Sequence, residues 1–101
     1  MFNSSVVKIG DISVGGESPL VFILGPCQIE NRDHALFMAE KIVKVCEPSS
    51  SKFIFKSSFD KANRSSITSA RGIGIEEGLK ILEEVKSTFS CPVITDVHTV
   101  P

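Results

Sequence analysis

The sequence predicts an α/β fold built on a parallel sheet, and three observations carry that reading. Short apolar runs alternate along the chain with stretches of helical periodicity. The runs LVFIL and FIF are apolar throughout, as strands buried on both faces are. Polar residues follow each run at its carboxyl end, the side on which parallel β/α proteins bind their ligands.

The elements follow in order. Between Val6 and Val14, VVKI and ISV flank Gly10-Asp11 and predict a small N-terminal hairpin. Leu20–Leu24 is the first buried strand, ended by Gly25-Pro26. Asn31 is placed to cap a helix, because Ala35, Leu36, Ala39, Ile42, Val43 and Cys46 recur at helical spacing after it. Pro48 and the serines beside it stop that helix. Phe53–Phe55 is the second strand, and a polar loop runs from Lys56 to about Gly74. A second helix is expected from about Ile75 to Phe89, with Leu79, Leu82, Val85 and Phe89 on one face. Pro92 then opens PVITDV, the third strand. The order hairpin, β-α-β-α-β gives a parallel sheet with right-handed crossovers. Three strands and two helices leave sheet edges open, so the chain is expected to be the front part of a longer protein. Two architectures accommodate it, a doubly wound sheet or a (β/α)8 barrel, the latter typically of ~250 residues.

Composition narrows the function classes. With 42% hydrophobic residues and a net charge of −1, the chain reads as globular, without the overall basicity that nucleic-acid binding asks for. Cys27, Cys46 and Cys91 are odd in number and widely spaced, which argues against a disulfide framework and for a reducing compartment. No leader-like N-terminus and no membrane-length apolar run are visible, so a cytoplasmic location is expected. Basic charge is local instead. From Lys52 to Arg71 the cations Lys52, Lys56, Lys61, Arg64 and Arg71 face one acid, Asp60, among several hydroxyl residues. Such a set suits the oxygens of a small phosphorylated ligand.

The expected strand ends carry Gly25-Pro26-Cys27-Gln28, Lys56-Ser57-Ser58 and Asp96-Val97-His98, three polar edges on one side. Each candidate has a plainer reading beside the functional one. Cys27 is either a small buried filler or a metal ligand or nucleophile. Lys56 and Lys61 are either solvated lysines or anion ligands, although a lysine directly after FIF is placed unusually well for the second role. Asp96 either caps a turn or forms an acid–imidazole pair with His98. Cys46 and Cys91 read as packing residues and His34 as exposed. Gly72-Ile73-Gly74 lacks the GxGxxG pattern and the preceding strand of a dinucleotide loop.

The run FKSSFDKANRSSITSARGIGIEEGLKILEEVKSTF, then PVITDVH, together with GPCQIENRDHALFMAE, resembles the 3-deoxy-D-manno-octulosonate-8-phosphate synthase family over nearly the whole chain after about Ser18. KANRSS is the most specific part, since the related 3-deoxy-D-arabino-heptulosonate-7-phosphate synthases carry a KPRTS-like run there. The resemblance implies a (β/α)8 TIM barrel, of which residues 1–17 are an N-terminal hairpin and residues 18–101 the first β/α units. It implies condensation of phosphoenolpyruvate with D-arabinose 5-phosphate, in lipopolysaccharide biosynthesis, by a homotetramer. Carried over by position, Lys56 and Lys61 hold phosphoenolpyruvate, and Asn63, Arg64 and Ser65 hold the sugar phosphate. Asp96 and His98 lie beside the reacting aldehyde and, with Lys61, form the catalytic set. Cys27 matches the ligand of a divalent metal (zinc, iron or manganese) in metal-dependent members and an asparagine in the others. Thr68 and Ile73 depart from the family's usual His and Pro. Two rivals remain: a sibling synthase with another aldose phosphate, and a truncated, non-catalytic paralogue that binds phosphorylated metabolites. On its own, a 101-residue chain of this family is expected to be inactive.

Overall fold

The computed structural model describes residues 5–59 and 74–97. Its hairpin pairs β1 (Val7–Ile9) antiparallel with β2 (Ile12–Val14) across the two-residue loop Gly10-Asp11. Lys8 Nζ donates to Ser13 Oγ across the pair at 3.3 Å, and Ile12, 8% exposed, is the hairpin's buried anchor. The main sheet is parallel and runs β3 (Val21–Leu24), β4 (Lys52–Lys56), β5 (Val93–Ile94), with β4 in the centre.

Helix α1 (Arg32–Cys46) connects β3 to β4, and α2 (Ile75–Phe89) connects β4 to β5. Asn31 caps α1 from an extended backbone, its side-chain oxygen accepting the His34 N–H at 2.8 Å. Asp33 in the first turn and Lys44 in the last oppose the helix dipole with the favourable sign. Pro48 sits in the 3-10 turn Glu47–Ser49 that ends the helix. Both helices pack on one face of the sheet. Phe53 and Phe55, two residues apart and so on the same side of β4, share a single core with Ala35, Ala39 and Cys46 of α1 and Ile81, Leu82 and Val85 of α2. The two alanines let α1 approach closely, and Phe55 and Val85 are fully buried. That placement follows from strand order: each strand is added on the same side of the last, and right-handed crossovers then bring successive helices to the same face. Across the top of the helix pair, Arg32 grips Glu84 with both Nε, at 2.7 Å, and Nη2. The hydrogen bond from Arg32 is the main reason the Glu84 carboxyl is held below its usual range, and the same bond raises Arg32.

Four expectations need correcting. β3 is not buried on both faces: Phe22, Ile23 and Leu24 are 39%, 55% and 36% exposed. It is an edge strand, and among the described residues only β4 pairs with it. PVITDV forms a strand only at Val93–Ile94, because β4 ends at Lys56 and offers no ladder beyond. Leu79 is 48% exposed and Ile81 takes its place in the core. His34 is half-buried, with Nδ1 enclosed without a hydrogen-bond partner and Nε2 3.8 Å from a Glu30 carboxylate oxygen. Cys46 and Cys91 are core residues as expected, and burial pushes the Cys91 thiol up, away from the reactive thiolate.

Candidate functional site at the carboxyl edge of the sheet

Parallel register sets the level of the site. Leu24 pairs with Phe55 and Phe55 with Val93, so the three strands end side by side and their next residues form one edge. The contact between Gly25 and Lys56 is the tightest on that edge. A Cβ on Gly25 would lie 1.9 Å from the Lys56 carbonyl oxygen, so only glycine lets β3 leave the sheet this close to β4.

Beyond the strands the two chains stay joined. The Ser57 hydroxyl donates to the Pro26 carbonyl at 2.6 Å, and the Ser58 N–H donates to the Cys27 carbonyl at 3.2 Å. The Ile29 N–H returns a bond to the Ser58 carbonyl at 2.8 Å, and the Ile29 side chain is fully buried. On the other flank the Ser57 N–H donates to the Ile94 carbonyl at 3.3 Å. Consequently the Cys27 backbone is held while the residue, a free cysteine, is exposed. Lys56 closes β4 with its side chain exposed. Asp96 is half-buried two residues after β5.

Of the residues expected at a site, Cys27, Lys56 and Asp96 therefore fall on one edge. Lys61, Asn63, Arg64, Ser65 and His98, with Thr68 and Ile73, lie outside the described residues. Three residues escaped the sequence reading as site residues. Ser57 and Ser58 are 1% and 6% exposed and set the positions of Pro26 and Cys27. Their signal was available: two small hydroxyl residues directly after an apolar strand. Thr95 carries a buried hydroxyl without a hydrogen-bond partner next to Asp96, and no local pattern marks it. Among the described residues no group of three or more His, Cys, Asp and Glu is placed to hold a metal. Among the described residues, Cys27 is the one soft donor on the edge.

A parallel β/α unit with an exposed thiol, an exposed lysine and a half-buried carboxylate at its strand ends belongs to the β/α class, whose members bind small ligands at that edge. Residues 3–101 match the model of the DAHP synthetase I family, and the chain belongs to that family. Among curated relatives, it is 60% identical to the 2-dehydro-3-deoxyphosphooctonate aldolase of Rickettsia felis over 94 residues, 93% of this chain and 34% of that protein. The protein of that name from Rickettsia prowazekii is 61% identical and that from Rickettsia canadensis 57%, over the same shares of each chain. The chain spans about a third of the length of these relatives.

Proposed function

We propose that this chain is part of the machinery that condenses phosphoenolpyruvate with D-arabinose 5-phosphate, giving 3-deoxy-D-manno-octulosonate 8-phosphate and phosphate, a transferase step towards lipopolysaccharide. The observation that carries the reading is the 60% identity over 93% of the chain to proteins named 2-dehydro-3-deoxyphosphooctonate aldolase. The polar carboxyl edge supports it, since that is where such chemistry sits in a β/α protein. The finer architecture belongs to the same reading: a (β/α)8 barrel whose first units lie in residues 18–101, with a hairpin in residues 1–17. One-way strand order and helices on a single face support the barrel, as do Ile23 and Ile94, exposed on the opposite face beside the buried Ile54. A homotetramer in the cytoplasm completes the proposal; no described helix is long and apolar enough to cross a membrane.

In this reading the carbon–carbon bond forms when the vinyl carbon of phosphoenolpyruvate attacks the sugar aldehyde. Water adds to the cationic carbon left behind, and the tetrahedral intermediate expels phosphate. Lys56, fixed at the end of the central strand, holds an anionic group of phosphoenolpyruvate together with Lys61. Arg64 grips the sugar phosphate through its planar fork, flanked by Asn63 and Ser65. Each phosphate brings roughly −1.5 to −2 charge, so cations are needed to hold the two substrates close. Asp96, with His98, faces the aldehyde and its developing hydroxyl. Cys27 suits a divalent metal because its thiol is exposed while its backbone is tied to Ser58, and a thiolate prefers zinc or ferrous iron. Such an ion, when bound, stabilises developing negative charge and orients a polar group. The family's name favours one rival, an aldose-phosphate synthase with a different acceptor. Release of phosphate from phosphoenolpyruvate by the full-length protein decides between them: arabinose 5-phosphate should support it and erythrose 4-phosphate should not. The reverse preference would hand the assignment to the rival, and release with neither would remove both.

A further inference from the structure

At the opposite end of the sheet, beneath the hairpin, lies a cavity of about 630 Å³, within the roughly 300–1,000 Å³ of small-molecule sites. Three separate elements build it: the hairpin loop with Asp11 and Ile12, the start of β4 with Lys52 and Phe53, and the end of α2 with Lys86 and Phe89. The hairpin lies against the lead-in to β5, where a Cβ on Gly10 would stand 3.5 Å from the Pro92 ring.

The lining has a definite chemistry. Phe53, Phe89 and Ile12 give it apolar surface, and its charged lining residues are two lysines, Lys52 and Lys86, against one acid, Asp11. Among the described residues, neither Lys52 nor Lys86 is held in an ion pair or a side-chain hydrogen bond, so their charge is uncommitted. This is not the carboxyl edge over again. Lys52 and Lys56 open and close β4, which separates them by roughly 13 Å at about 3.3 Å per residue. Sugar phosphates and phosphoenolpyruvate, moreover, have no apolar body to set against Phe53 and Phe89. We propose that this cavity is a second ligand site, for a small organic anion with a flat apolar body. The rings take the body, and Lys52 and Lys86 draw the carboxylate.

The test is a methyl-detected NMR titration of the protein with benzoate, using benzyl alcohol as the uncharged control. Saturable shifts are expected at Ile9, Ile12 and Val93, which line the cavity, with benzoate bound at least tenfold more tightly than the alcohol. Both lysines are exposed, so the double variant Lys52→Gln, Lys86→Gln keeps the fold and should erase that preference while leaving the alcohol's affinity unchanged. Raising salt should weaken benzoate alone in the wild-type protein, a readout independent of any variant. Shifts that appear only at Ile23 and Ile94 on the open face, or an affinity indifferent to the lysines and to salt, would overturn the proposal.

Discussion

Replacing Gly25 with alanine puts a methyl group into the gap between β3 and β4, and its consequence can be worked out from the structure. Gly25 does not hold a left-handed backbone, so alanine is conformationally acceptable there. Where space allows, such a change stabilises by about 0.4–1 kcal/mol through the unfolded chain. Space does not allow it. The new Cβ would stand 1.9 Å from the Lys56 carbonyl oxygen and 2.8 Å from its carbon, against a practical lower limit of 3.0 Å. The chains must part by about 1.1 Å, and the obstacle is backbone rather than the tip of a movable side chain. Overpacking of this kind costs roughly 1–3 kcal/mol. The neighbouring bonds from Ser58 N–H to Cys27 and from Ile29 N–H to Ser58, now 3.2 and 2.8 Å, stretch with it. Losing them adds about 0.5–1.5 kcal/mol each. Gly25→Ala should therefore destabilise by about 2–6 kcal/mol, read from urea unfolding at a common slope. Because Lys56 and Cys27 are positioned by the same contacts, a displacement near 1 Å should also lower turnover of the proposed reaction by the full-length protein by on the order of 100-fold. A variant that unfolds within about 0.5 kcal/mol of wild type, in line with ordinary tolerated substitutions, would refute the close-approach argument.

Three further outcomes are expected. Glu84, held below its usual range by Arg32, contributes stability that is present above the unfolded carboxyl value of ~4.3 and is lost as pH falls through the lower folded value. The melting temperatures of wild type and Glu84→Gln should thus differ at pH 7 and approach one another as pH falls below the unfolded carboxyl value; a constant gap would show that the pair does not titrate with folding. Lys56→Ala should weaken phosphoenolpyruvate binding by about 1.5–3 kcal/mol, the scale of a hydrogen bond to a charged group, in a calorimetric titration. Unchanged affinity would return Lys56 to the solvent. If Cys27 binds a divalent metal, a chelator should abolish turnover by the full-length protein, zinc or ferrous iron should restore it, and Cys27→Asn should bind less metal by elemental analysis. Full activity with the metal stripped away would leave Cys27 a bystander.

The helices were legible because their determinants are local. Asn31 caps α1 through a hydrogen bond three residues away, Pro48 ends it, and α2 runs from Ile75 to Phe89 as the periodicity required. The polar edge was legible for a related reason: parallel strands joined by helices must end on the same side, so Cys27, Lys56 and Asp96 had to share it. What the sequence could not determine depends on partners distant along the chain. The length of β5 depends on where β4 stops, and the exposure of β3 on which strands flank it. The exchange of Leu79 for Ile81 in the core reflects how α2 is rotated on the sheet. Gly78 allows the close seat that accompanies this rotation, where a Cβ would come within 2.6 Å of Phe59. The bond from Ser57 to Pro26 spans 31 residues, and the cavity exists only because a hairpin at one end of the chain rests on Pro92 near the other. Hydrophobic period and capping are written within a few residues of one another, whereas register, close approach and cavities are properties of segments that meet only once the chain has folded.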